Sequence, residues 1–177
     1  QGPGDAQPWL YLEAAYRPDI LASKILARND GFVVNRELQL VQNNREVRRT
    51  ELGHLPLDLD RNALVEEHVT VSNPETRYYV AVHVPIAAGF EALNPELDTS
   101  GADAVASGSL TRQPTYTRVL DDSVTYYYES LPAGTDHFDF RERATFTGEF
   151  QLPPAWAEAI YDPGTWGNSP GALVRIE

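Results

Sequence analysis

Asp58, Asp60 and Asn62 stand at alternating positions, the one-three-five spacing from which a calcium loop draws its hard oxygen ligands. The rest of such a loop is missing. Its sharp turn asks for glycine where Ala63 stands, and its bidentate glutamate would fall on Val69, inside a run that reads as strand. The three side chains therefore read as solvated loop groups, and no metal site is assigned. The histidines supply no ligand set either: His54, His68, His83 and His137 never recur at the three- or four-residue spacing that puts two imidazoles on one helix face. The plain reading is His68 facing His83 as a surface pair across a hairpin. Ser107-Gly108-Ser109 lacks the glycine-flanked strand-turn-helix elbow that exposes a nucleophile, and there is no phosphate-cradling glycine loop. With no cysteine the chain has no thiol nucleophile, thiolate metal site or disulfide. A glycosidase needs two carboxyls, one kept protonated by its surroundings. Glu129, Glu142, Glu149 and Glu158 qualify by type, but their spacing favours no pair. The reading is non-enzymatic, with no catalytic residue and no cofactor.

Aromatic residues are the other chemically informative set. Trp9, Tyr11, Tyr126, Tyr127, Tyr128, Trp156, Tyr161 and Trp166 have the types of a sugar-stacking platform. In the strand-like run 124–129, however, Tyr126 and Tyr128 share a face with Val124 while Tyr127 points the other way, as burial of one side requires. Trp156, Tyr161 and Trp166 differ, because they lie between Pro153-Pro154, Pro163-Gly164 and Pro170-Gly171. Aromatics on a proline-stiffened segment are candidates to face a partner.

These side chains must be positioned by a small number of elements. A chain of 177 residues, 42% of them hydrophobic, buries roughly 70% of the surface its unfolded form exposes and supports one core. The net charge of −12 leaves no basic stripe for nucleic acid or an acidic membrane surface. No uncharged apolar run approaches the roughly 20 residues that a bilayer span needs. The absence of methionine marks the sequence as a piece of something longer. Residues 1–7, with neither a charged nor an apolar stretch, are expected to be a disordered or tag-derived leader, and 8–177 a single domain.

Alternation at period two predicts strands over 9–16, over 32–41 (Phe32, Val34, Leu38 and Leu40 on one face), over 64–72 and over 77–84. In 64–72, Val65, Val69 and Val71 point inward and Glu66, His68, Thr70 and Ser72 outward; in 77–84, Tyr78, Val80, Val82 and Val84 share a face. The turn at Asn73-Pro74-Glu75 makes these two antiparallel neighbours. The same pattern repeats in 124–129 and 136–147, with Phe138, Phe140, Ala144 and Phe146 in phase, joined through 131–134; 172–177 closes the set. Residues 20–28 read as a short helix or turn, 90–97 as a helical turn, and 99–114 as a mobile loop. The fold class is all-β, an antiparallel β-sandwich of about 7–9 strands with at most one or two short helical turns.

Several of these segments carry a specific wording. Residues 82–100 (VHVPIAAGFEALNPELDTS), 131–135 (LPAGT), 141–163 (RERATFTGEFQLPPAWAEAIYDP) and 166–169 (WGNS) together resemble the C-terminal macroglobulin-like domain of bacterial α2-macroglobulins. Relatives have an Asp-Pro-Leu-Pro-Ala-Gly-Phe-Glu turn before Asn-Pro, then Leu-Pro-Ala-Gly-Thr, an Arg-Ala strand, Gly-x-Phe, and Pro-Pro-Ala before Ala-Glu-x-Met-Tyr-x-Pro. The likeness is strongest from Val82 onward and touches the first part only through an opening strand and the step Asp30-Gly31-Phe32-Val33-Val34. Val84 stands where the family often has Asp, Ala87 where it has Pro, and Ile160 where it has Met.

The resemblance implies a domain of a large periplasmic or cell-envelope protein, anchored to the membrane outside this piece. Such proteins trap proteases: cleavage of a bait region triggers collapse, and many couple to the attacker through a Cys-x-x-Gln thioester. With no cysteine, any thioester lies outside this chain. The resemblance further implies that the domain's partners are sibling domains of the same parent, and target proteases through the whole inhibitor. By position, 156–166 matches the segment that approaches the thioester. Trp156, Ile160, Tyr161 and Trp166 are then the candidate interdomain contact, with Ile160 and Tyr161 as covering residues. The alternative is a carbohydrate-binding β-sandwich module, which predicts exposed coplanar aromatics on one face; a hydrolase predicts two carboxyls facing each other across a pocket.

Overall fold

The structure, a computed structural model, describes residues 21–42, 45–51, 57–95 and 101–177. The expected leader 1–7, the strand at 9–16 with Trp9 and Tyr11, and His54 lie outside the described residues. Among the described residues the alternating runs fold as fourteen strands, more than expected because several are only three to five residues long.

A six-stranded sheet runs in the order β1 (Arg28–Asp30), β13 (Asp162–Asn168), β12 (Trp156–Ala159), β6 (Arg77–Pro85), β9 (Ser123–Leu131), β8 (Tyr116–Val119). A five-stranded sheet has the order β3 (Arg45–Glu51), β2 (Val33–Gln42), β5 (Leu64–Asn73), β10 (Gly134–Ala144), β7 (Phe90–Leu93). A three-stranded sheet of β11 (Gly148–Leu152), β14 (Ala172–Ile176) and β4 (Leu57–Leu59) joins them. Pairing is antiparallel throughout except between β14 and β4. One apolar cluster serves all three sheets: Val34, Val69 and Phe138 from one, Val82, Tyr126 and Ala157 from another, Leu57, Leu152 and Val174 from the third. The result is the β-sandwich that the alternation predicts, with Tyr126 and Phe138 meeting across it at 4.9 Å between ring centroids.

The strand neighbours differ from expectation in an instructive way. β5 and β6 do not form a hairpin: β5 pairs with β2 and β10, whereas β6 pairs with β9 and β12. Residues 74–76 carry the chain from one sheet to the other, and 132–133 do the same between β9 and β10. The buried Asn73 ties the two crossings together by donating through Nδ2 to the carbonyls of Leu131 at 3.1 Å and Pro132 at 3.4 Å. His68 and His83 therefore sit on different sheets. His68 lies between Asp139 and Gln39, while His83 bonds Thr125 Oγ1 at 2.7 Å.

Other expectations shift locally. A register change between Leu40 and Val41 buries Val41 as well, while Leu40, half-buried, still packs against the core. Tyr78 is exposed despite its phase, because its neighbour Tyr79 has φ +53° and breaks the pleat. Phe146 is exposed because β10 ends at Ala144. Of the short helix or turn expected over 20–28, the structure has a 3₁₀ turn at Ala22–Lys24, followed by β1, and 90–97 begins as strand β7 rather than a helical turn.

The described part of the expected mobile loop, residues 101–114, is tied down. Glu66, expected to face solvent, is buried beneath it and accepts from the amides of Ser107 and Gly108, from Ser107 Oγ at 2.6 Å and from Arg141 Nε at 2.7 Å. Burial alone would raise the Glu66 carboxyl, but these donors outweigh it and hold it below the usual value. Tyr128 OH donates to the Arg112 carbonyl at 3.0 Å, and burial pushes that phenol up to about 12.

Candidate functional site

β12 and β13 form a hairpin whose two-residue tip is Ile160-Tyr161, with a register shift after Glu158. Its root is rigid for identifiable reasons. Pro153 and Pro154 fix the lead-in, and the carbonyl of Pro153 accepts from buried Arg36 Nη1 at 2.8 Å. Ala155 and Ser169 exchange two bonds: the Ala155 amide donates to Ser169 Oγ at 3.0 Å and the Ser169 amide to the Ala155 carbonyl at 2.8 Å. On the β13 side Gly167 has no room for a side chain, since a Cβ there would fall 1.9 Å from the Phe32 carbonyl oxygen. Ala157 and Ala159 turn into the core, so their neighbours Trp156 and Glu158 face outward.

The four candidate contact residues fall into two places on this hairpin. Ile160 and Tyr161 occupy the tip, 44% and 79% exposed. There they meet Tyr79: the Ile160 amide donates to the Tyr79 carbonyl at 2.9 Å, and the Tyr79 and Tyr161 rings stand edge to face at 5.1 Å and 84°. Tyr79 is itself 52% exposed, so it joins Ile160 and Tyr161 in exposing apolar surface at the tip, and the preceding Tyr78 is 64% exposed. Trp156 and Trp166 sit nearer the root, half-buried on the outer face of the sheet. Trp156 packs on His83, ring centroids 4.0 Å apart, and Arg28 lies over Trp166 at 5.1 Å. Burial holds the His83 imidazole below its usual value, with the Arg36 charge adding to this and Asp122 opposing it, so at neutral pH it serves as a flat uncharged ring.

The residues with chemical potential elsewhere do not assemble. Asp58 is exposed on β4, Asp60 begins the following turn, and Asn62 closes it at φ +66°. Among the described residues no group of three metal-ligating side chains converges. Ser107 Oγ donates to the Glu66 carboxylate, whose basicity is lowered by the Ser107 and Gly108 amides and Arg141, and His137 lies 3.4 Å from Thr70 Oγ1. Glu149 pairs with Arg175 at 3.0 Å, Glu129 and Glu158 are exposed on the six-stranded sheet, and Glu142 is enclosed in the core.

Glu142 belongs to a buried polar group that the sequence reading passed over. Arg36, Glu67 and Glu142 each occupy the inward phase of a five-stranded-sheet strand, and all three are buried. The signal was present: the apolar beats Val34-Leu38, Val65-Val69 and Phe140-Ala144 each skip one position, and a charge stands at each gap. Tyr79 was missed for a different reason, since no local pattern announces its left-handed backbone.

A family model described as the bacterial alpha-2-macroglobulin MG10 domain matches residues 31–164. No curated protein matches the chain in sequence. Among solved structures, an Escherichia coli alpha-2-macroglobulin activated by porcine elastase superposes with a TM-score of 0.67 at 17% identity, over 86% of this chain and 14% of that one. A Salmonella alpha-2-macroglobulin reacted with methylamine gives 0.63 at 17%, over 85% of this chain and 9% of that one. The native E. coli protein from domain MG7 to its C-terminus gives 0.58 at 18%, over 85% and 24%. At this identity the structures speak to the fold, and this chain spans only a small fraction of each.

Proposed function

Since the chain belongs to the bacterial alpha-2-macroglobulin MG10 domain family, we propose that it is the non-catalytic C-terminal domain of a protease-trapping protein and works by pressing the β12–β13 tip onto a sibling domain. Where the parent carries a thioester, Ile160 and Tyr161 cover it. A strained acyl bond survives only where water is excluded, and large apolar side chains on a stiff support exclude it at small entropic cost.

The observation that carries this reading is the tip itself. Tyr161, at 79% exposed, sits on a hairpin whose root is fixed by Arg36, Ser169 and two prolines, and its one ring contact is the edge-to-face pair with the likewise exposed Tyr79, which leaves most of its apolar surface in water. A large aromatic held out in water on a rigid support fits a side chain whose burial comes from another surface. The reading carries with it the periplasmic or cell-envelope location of the parent, which fractionation of the source cells would test.

The deciding experiment uses the full parent protein with Tyr161→Ser. Loss of one tyrosine's burial is expected to speed hydrogen exchange of the 156–166 amides and, where a Cys-x-x-Gln is present, to raise the rate of methylamine incorporation about tenfold. Unchanged exchange together with unchanged incorporation would overturn the reading.

A further inference from the structure

On the outer face of the β12–β13 hairpin, Trp156 lies opposite Asn168 and Glu158 opposite Trp166. The four side chains make a two-by-two checkerboard with the indoles on one diagonal, about 7–8 Å apart at their roots. This is the floor of an open depression of about 570 Å3 whose rim includes Ile25, Pro154 and Pro163. We propose that the depression is a receptor for one lysine or arginine side chain, carried on an extended segment of a neighbouring domain.

Three observations select a cation. First, Glu158 is the one charged side chain among those lining the depression, and it is exposed and without an ion-pair or hydrogen-bond partner among the described residues. Both Asn168 amide hydrogens are engaged, to the carbonyls of Leu26 at 3.0 Å and Ser169 at 2.7 Å, so beside the two indole N–H groups the floor offers acceptors, and a carboxylate between two π-faces complements a cation. Second, Trp166 already holds a cation, since the Arg28 guanidinium sits 5.1 Å from its ring centroid while bonded to Asp30 at 3.0 Å. The Trp156 indole flanks Glu158 on the same strand and supplies a further face of the same kind. Third, the chain's net charge of −12 favours a basic partner over any other.

The proposal depends on the hairpin being a contact edge only for where the segment comes from; binding itself is a property of the 177-residue chain. The probe is acetyl-Gly-Lys-Gly-amide, titrated against the 15N-labelled chain while the indole N–H signals of Trp156 and Trp166 are followed. Its norleucine counterpart and a chito-oligosaccharide serve as the comparison ligands. The lysine peptide is expected to shift both signals saturably and to bind at least about fivefold tighter than the norleucine peptide. Glu158→Gln is expected to weaken it by roughly threefold to tenfold, whereas Glu91→Gln on the other sheet leaves it unchanged. Equal response to norleucine would show a merely apolar face, response to the oligosaccharide alone would show a sugar site, and indifference to Glu158→Gln would remove the counter-charge; each overturns the proposal. None of them bears on the Tyr161 tip, whose exchange and methylamine readouts fail or succeed separately.

Discussion

Arg36 grips Glu67 through two parallel bonds inside the core, Nε to Oε2 at 2.7 Å and Nη2 to Oε1, while Nη2 and Nη1 also reach the carbonyls of Pro85 and Pro153. One side chain of the five-stranded sheet thus fixes the end of β6 and the lead-in to the β12–β13 hairpin. Removing it strands a buried carboxylate and two carbonyls, so Arg36→Leu is expected to cost about 3–5 kcal/mol in urea unfolding. Replacing both partners by leucine should recover the part of that loss that comes from the stranded carboxylate, with the Pro85 and Pro153 carbonyls still unpaired. Arg36→Lys should recover little, because an ammonium cannot match the fork.

Glu142 lies buried in the same group with no hydrogen-bond partner for either carboxyl oxygen among the described residues. Burial, reinforced by the charge of Glu67 and only partly opposed by Arg36, pushes its carboxyl well above the usual 4.5. The native state then keeps a proton that the unfolded chain releases, so this contribution is whole below 4.5 and is lost as pH rises through the native value. Glu66, held below 4.5, acts in the opposite window: its contribution is whole above 4.5 and is lost as pH falls through its native value. Stability should therefore peak at mildly acidic pH. Glu142→Gln is expected to flatten the fall that begins above pH 4.5, with about 1.4 kcal/mol at stake for each unit by which the folded and unfolded pKa values of this carboxyl differ. Parallel urea-midpoint curves for both proteins across that range would refute the assignment.

The sandwich was legible because alternation is a local signal: Val80, Val82 and Val84, or Tyr126 and Tyr128, take one face wherever their strand pairs. The partner of each strand was not legible. Asn73-Pro74-Glu75 turns the chain equally well into a hairpin or across to the other sheet, and the bonds that decide it run from Asn73 to Leu131 and Pro132, far along the chain. The same holds for the loop at 101–114, whose Ser and Gly content says turn but whose anchor, Glu66, is a strand residue remote in sequence. At the candidate edge, the prolines picked out the segment. The division into an exposed tip and a half-buried pair of indoles follows from the Glu158/Ala159 register shift, which the sequence does not announce.

Glu66 gives a direct test of that anchoring. Glu66→Gln keeps the shape but removes the charge that gathers the Ser107 and Gly108 amides, Ser107 Oγ and Arg141. The expected result is a loss of about 1–3 kcal/mol, with amides of 101–114 exchanging markedly faster than those of β5 and β10. Uniform exchange across all three would mean that the segment is held by its apolar contacts instead.

Tyr79 is the one bulky described residue in left-handed backbone, at φ +53°, in a region that costs roughly 1–2 kcal/mol for a side chain of this kind. The conformation aims its carbonyl at the Ile160 amide and its ring at Tyr161. If tyrosine is retained there to shape the contact tip rather than to support the fold, asparagine, which tolerates the left-handed region, should serve stability equally well or better. Tyr79→Asn is therefore expected to leave the urea midpoint unchanged or to stabilise by up to about 1 kcal/mol. In the parent protein the same change should speed hydrogen exchange at the tip, as Tyr161→Ser does, because the edge-to-face partner of Tyr161 is gone. A loss of more than about 1.5 kcal/mol in the 177-residue chain would instead make the Tyr79 ring a prop of the sandwich, with the tip's exposure a by-product of that role.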